Sequence, residues 1–124
     1  MNAYLLSDLS WTGPLVIAIQ RAILDEFTSS DWHEIVHLTG LHSYITGHKR
    51  LLRSLDWGDN DYGDCVFDVL GRLQRYNPEA LTVLIENSKI LPLLEVSVPK
   101  IIHDLGLALA MFGPLHLRKL LLRS

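Results

Sequence analysis

The sequence predicts an all-α fold: a compact bundle of six to seven short helices with an apolar C-terminal helical extension. Three observations predict it. Apolar residues recur at helical spacing along nearly the whole chain, whereas the period-two alternation of a strand is hard to find. Capping residues and Gly or Pro stand before and after those periodic stretches, where helices start and stop. The 124 residues, 48% apolar and 20% charged, suit one domain over residues 1–124 that can bury a core without metal or disulfide.

The elements follow in order. Gly13-Pro14 opens a first helix to about residue 27, with Val16, Ile19, Ile23 and Phe27 on one side. Thr28-Ser29-Ser30-Asp31 supplies N-cap chemistry for a second helix to about Leu38, which Gly40 ends. The spacing predicts a third helix over residues 43–55, weakened in its middle by Gly47. Asp59 or Asp61 caps a fourth, reaching Tyr76, in which Tyr62, Cys65, Val66, Val69, Leu70, Leu73 and Tyr76 make one broad apolar stripe. Asn77-Pro78 starts a fifth helix to about residue 87, and a short sixth covers residues 90–94. Pro99 opens a seventh through residue 112, and Pro114 breaks it before residues 115–123.

Charge and composition narrow the function. A net charge of −3 offers no global field for nucleic acid. Cys65 is the single cysteine, so no intrachain disulfide forms and a reducing cytoplasm is the expected location. The first residues lack the basic start and cleavage site of a secretory signal. The longest apolar run, residues 105–112, falls far short of the ~20 residues of a spanning helix. No phosphate-cradling glycine loop is present, and Asp59-Asn60-Asp61 fails as a calcium loop because Asp64 stands where glycine is required. No cofactor is expected, and a small-molecule ligand is disfavoured.

The feature that points to binding is a charge reversal between His48 and Asp68. Lys49, Arg50 and Arg53 gather opposite the apolar arc of Tyr44, Ile45, Leu51, Leu52 and Leu55 on a helical wheel. Asp61, Asp64 and Asp68 oppose the apolar stripe of the fourth helix, with Asp59 just before it. Cations ending one helix and anions starting the next also complement the two helix dipoles, and Asp68 with Arg72 is an i, i+4 pair. Trp57 is left over by that explanation: a large aromatic inside a polar turn is either a buried anchor or an exposed binding hot spot.

His33-Glu34-Ile35-Val36-His37 matches the H-E-x-x-H pattern of zinc peptidases, in which two histidines hold metal and the glutamate activates water. The longer pattern, with Gly40 in place, needs a third histidine at position 43, where Ser43 stands; His42 is one residue early. Trp32, Ile35, Val36 and Thr39 form the core arc of this helix with Leu38 at its edge, so His33 and His37 face away from the core. A zinc-dependent hydrolase is therefore the second reading, tested by metal content. Cys65 lies on an apolar stripe and reads as a small core residue.

The stretch Leu51-Leu52-Arg53-Ser54-Leu55-Asp56-Trp57-Gly58-Asp59-Asn60-Asp61-Tyr62, set among short helices with opposed basic and acidic faces, resembles the death-fold superfamily. It is similar in particular to the caspase-recruitment-like and effector-associated adaptor domains of bacterial defence systems. The resemblance covers about residues 14–96 and leaves residues 98–123 as a C-terminal extension. It implies a non-enzymatic adaptor or oligomerisation module that recruits an effector through oppositely charged helix faces. By that resemblance Lys49, Arg50 and Arg53 make one face, Asp59, Asp61, Asp64 and Asp68 its complement, and Trp57 lies between them. The partner is a protein, either a second copy or another helical domain. A third reading is membrane-surface binding through residues 101–123, apolar and basic together, against their simpler role of closing the bundle.

Overall fold

Among the described residues, helical periodicity becomes seven helices: α1 (Leu9–Glu26), α2 (Ser29–Thr39), α3 (Leu51–Trp57), α4 (Tyr62–Tyr76), α5 (Pro78–Ile85), α6 (Leu91–Ser97) and α7 (Pro99–Phe112). The computed structural model describes the backbone of residues 9–112 and the side chains of residues 13–77 and 80–105. Among the described residues there is no strand.

α4 is the axis of the bundle because its sequence has the broadest apolar stripe. It buries Tyr62, Cys65, Val66, Val69, Leu70 and Leu73, and α1, α3 and α5 all pack on it. α1 adds Leu15, Ala18, Ile19, Ala22 and Ile23, with Phe27 buried just past its end, and also reaches α6, which in turn carries α7. α2 is held between α3 and α5 and buries Trp32, Ile35 and Val36. Each fully buried Leu or Ile contributes ~1.5–3 kcal/mol through apolar burial, so this contiguous core sets the fold.

Polar contacts fix the angles at which these helices meet. The Trp32 indole N–H donates to the Tyr62 hydroxyl at 2.8 Å, joining α2 to α4 inside the core, while Phe27 meets the Trp32 ring edge-on at 5.3 Å. Thr28 caps α2 in a reciprocal box with Asp31. The Asp31 carboxylate also accepts from Lys89 at 2.8 Å, tying that cap to the α5–α6 connection. Burial works to raise the Asp31 pKa, but hydrogen bonds from Lys89 and Thr28 outweigh it and hold the group below the usual carboxylate value. Gly40 ends α2 at φ 72°, and Gly58 ends α3 at φ 66°, both in the left-handed region that favours glycine.

The chain departs from its sequence expectation at several places. Residues 42–47 form turns rather than the first half of a helix: the Gly47 N–H bonds the His42 carbonyl at 2.7 Å, and a Cβ at Gly47 would lie 3.1 Å from the Ser43 backbone. Ile45 is nevertheless fully buried, so the apolar positions of that stretch are occupied by turn residues. α1 starts at Leu9, with Pro14 inside it rather than at its start. Tyr76 and Leu38, placed in or beside apolar arcs, are both 63% exposed. Asn77 does not cap α5 with its side chain; it donates instead to the Tyr44 hydroxyl at 3.1 Å. Smaller shifts move the fifth helix to end at Ile85 and the sixth to run over Leu91–Ser97.

Ile101 and Ile102 pack against the core as half-buried residues and Leu105 is buried. The basic-apolar residues 113–123 lie outside the described residues. Among the described residues no helix is long and apolar enough to cross a membrane.

Candidate functional site, the α3–α4 hinge

α3 is short, and its start is organised by a histidine outside the helix. The Arg50 side chain makes no cap at the N-terminus of α3. His48 Nδ1 instead accepts the backbone N–H of Arg50 and of Leu51, each at 3.1 Å. That leaves the ring proton on Nε2, which donates to the Asp68 carboxylate at 2.9 Å. The two ends of the charge reversal therefore meet, and one imidazole fixes the entry to α3 against α4.

A second clasp closes the hinge near its turn. Arg50 pairs with Asp61, whose other carboxylate oxygen accepts from the fully buried Ser54 hydroxyl at 2.8 Å. Asp68 is further engaged by Arg72 at 3.5 Å, one turn along α4. The C-terminus of α3 is closed by the Asp59 N–H on the Ser54 carbonyl at 2.9 Å, with Gly58 supplying the reversal.

The basic and acidic sets expected to face a partner are thus partly joined to each other. Arg50 with Asp61, and Asp68 with His48 and Arg72, are paired within the chain. Lys49, Arg53, Asp59 and Asp64 are exposed. Trp57 stands 67% exposed, with the Arg53 guanidinium 4.4 Å from its ring centroid. Of the two outcomes open to Trp57, the chain adopts the exposed one. A cation over an exposed ring contributes ~0.5–1 kcal/mol, which biases the indole toward this orientation while most of it stays in solvent.

A second feature was not legible as a site. The outward face of α4 forms an open groove of about 410 Å³ lined by Phe67, Asp68, Gly71, Arg72, Arg75 and Tyr76. Gly71 is its floor, with open space where a Cβ would stand. Arg75 lies 6.0 Å from the Tyr76 ring. The available signal was a glycine inside a helix, flanked at four-residue spacing by Phe67 and Arg75, with no turn or close approach to require it.

His33, Glu34 and His37 are exposed on the outer side of α2. Among the described residues, no three His, Cys, Asp or Glu side chains come together as a metal-binding group. Cys65 is buried, 4.0 Å from the Ser54 hydroxyl. Tyr62, beneath the hinge, has its hydroxyl pKa raised by burial, against a smaller lowering by the Trp32 hydrogen bond.

These observations define a small helical module that presents an aromatic-cation ridge and an aromatic-cation groove beside an internally clasped hinge. Residues 10–102 match the model of the AbiJ N-terminal domain 5 family, and the chain belongs to that family, a bacterial abortive-infection defence module. No curated protein and no solved structure matches the chain.

Proposed function

We propose that this domain is a non-enzymatic adaptor of abortive-infection defence, binding a protein partner in the cytoplasm through the α3–α4 hinge surface. The observation that carries the reading is Trp57: an indole left 67% in solvent, pre-oriented by Arg53 at 4.4 Å, and flanked by the exposed Asp56 and Asp59. Aromatic and Arg residues of this kind supply most of the energy at protein interfaces, and a biased rotamer lowers the ordering cost of binding. His48, Ser54, Arg50 and Asp61 act as positioning residues that set α3 on α4. Lys49, Arg53, Asp59 and Asp64 then provide orientation and encounter rate around the anchor. On this reading the exposed charges play the part of the opposed faces of death-fold-like adaptors, while Arg50, Asp61 and Asp68 close on partners within the chain.

A photo-crosslinking amino acid at the exposed position 60, beside an intact Trp57, in the protein expressed in bacteria, tests this directly. A discrete protein adduct that Trp57→Ala and Arg53→Glu diminish is expected. Absence of any protein adduct there, or an adduct that Trp57→Ala leaves unchanged, would overturn the proposal.

A further inference from the structure

The groove on α4 and the ridge at the end of α3 are complementary to one another. The ridge is a single indole whose neighbours carry two exposed carboxylates, Asp56 and Asp59, against one guanidinium, Arg53. The groove has an aromatic residue near each end, Phe67 at 38% and Tyr76 at 63% exposure, and a glycine floor. Its rim carries two guanidiniums, Arg72 and Arg75, against one carboxylate, Asp68, and that carboxylate is already held by His48 and Arg72. Ridge and groove therefore differ in sign. The volume of about 410 Å³ lies within the range of small-ligand pockets and admits one aromatic side chain. The chain does not fill its own groove, because Trp57 is two-thirds exposed.

We propose that Trp57 of one copy docks between Phe67 and Tyr76 of a second copy, with Asp56 and Asp59 facing Arg72 and Arg75. This rests on reading Trp57 as an interface anchor, and it names the partner as another copy of this chain. The two patches are different parts of the surface, so the contact is heterologous: each copy offers a ridge to one neighbour and a groove to the next, and assembly proceeds head to tail. The charges outside the central aromatic contact make the association weaken as salt shortens the Debye length from ~10 Å at 0.1 M toward ~3 Å at 1 M.

Two variants separate the halves of the interface. Trp57→Ala removes the ridge at an exposed position. Gly71→Gln fills the groove where a Cβ meets nothing within 4 Å and gains helix propensity, so the fold is retained. Light scattering over a concentration series should give the unmodified chain an average mass that climbs past twice the 14.1 kDa monomer. Each variant alone should stay at the monomer mass, and their equimolar mixture should stop at two chains, since one intact ridge meets one intact groove. An unmodified chain that stays monomeric, or a mixture that stays monomeric, would overturn the proposal. Crosslinking from the exposed position 60, with Trp57 intact, distinguishes the two readings in the purified protein and in cells. An adduct to a second copy mapped to residues 67–76 supports this one. An adduct in cells to a different protein alone removes the self-association while keeping Trp57 as an anchor, and no adduct at all removes both.

Discussion

Replacing Trp32 and Tyr62 by Phe, singly and together, measures the polar link that orients α2 on α4. Trp32 is fully buried and Tyr62 is 8% exposed, and the indole N–H meets the hydroxyl at 2.8 Å. Tyr62→Phe strands a buried N–H, which costs ~1–3 kcal/mol. Trp32→Phe costs a similar amount for the stranded hydroxyl plus a partial cavity beside Phe27, and remains below the ~3–5 kcal/mol of complete truncation to Ala. In the double variant no polar group is stranded and only the cavity remains, so its loss should fall short of the sum by the two stranding costs together, at least ~2 kcal/mol. Urea unfolding followed by far-ultraviolet circular dichroism reads this as midpoint shifts at constant slope. Additivity within ~0.3 kcal/mol would refute the reasoning, because it would mean the bond contributes nothing in the native state. The same residue has an alkaline signature. Burial raises the Tyr62 hydroxyl above its ordinary value, which is ~10 in an unfolded chain. Its contribution is therefore fully present below pH ~10 and is lost as pH rises through the folded value, and Tyr62→Phe should flatten that part of the profile.

Other expectations follow from the remaining polar contacts. Asp31 titrates below its usual range in the fold, so its stabilisation is present above the unfolded value of ~3.9 and is lost as pH falls through the folded one; Lys89→Met should reduce this acid sensitivity in pH-dependent melting. His48→Ala removes the acceptor of two backbone N–H groups at α3 and should cost ~1–2 kcal/mol, with hydrogen exchange rising in α3 before α2 or α5. Purified protein should carry sub-stoichiometric zinc by elemental analysis, and His33→Ala with His37→Ala should leave the melting curve unchanged. One zinc per chain, lost in that double variant, would restore the hydrolase reading.

The apolar half of this molecule was legible because burial follows helical periodicity. Six of the seven stripe positions of α4 are buried; Tyr76, at the last turn, escapes because the chain leaves for α5 there. Thr28, Asp31 and Gly40 likewise bound α2 as their local chemistry requires. The failures came where side chains far apart in sequence compete with local preference. Residues 43–47 have helix-like spacing, yet the chain forms turns there and His48 takes up the first N–H groups of α3, a contact that also needs Asp68 on another helix. The basic arc drawn on one helix does not form, because Lys49 and Arg50 fall in the bend before α3, and the pairing of Arg50 with Asp61 depends on how α3 lies on α4. The exposure of Trp57 and the open floor at Gly71 are properties of the packed surface, and no spacing rule selects them.

Bacteriophage plaque counts on cells expressing the natural protein test the central claim, that Trp57 is the anchor through which this defence module works. Trp57→Ala removes a side chain that is 67% exposed, and surface changes of this kind usually alter stability by no more than ~0.5 kcal/mol. The account predicts that protection is lost while expression and melting temperature match those of the unmodified protein. Full protection with Trp57→Ala at equal expression would contradict it.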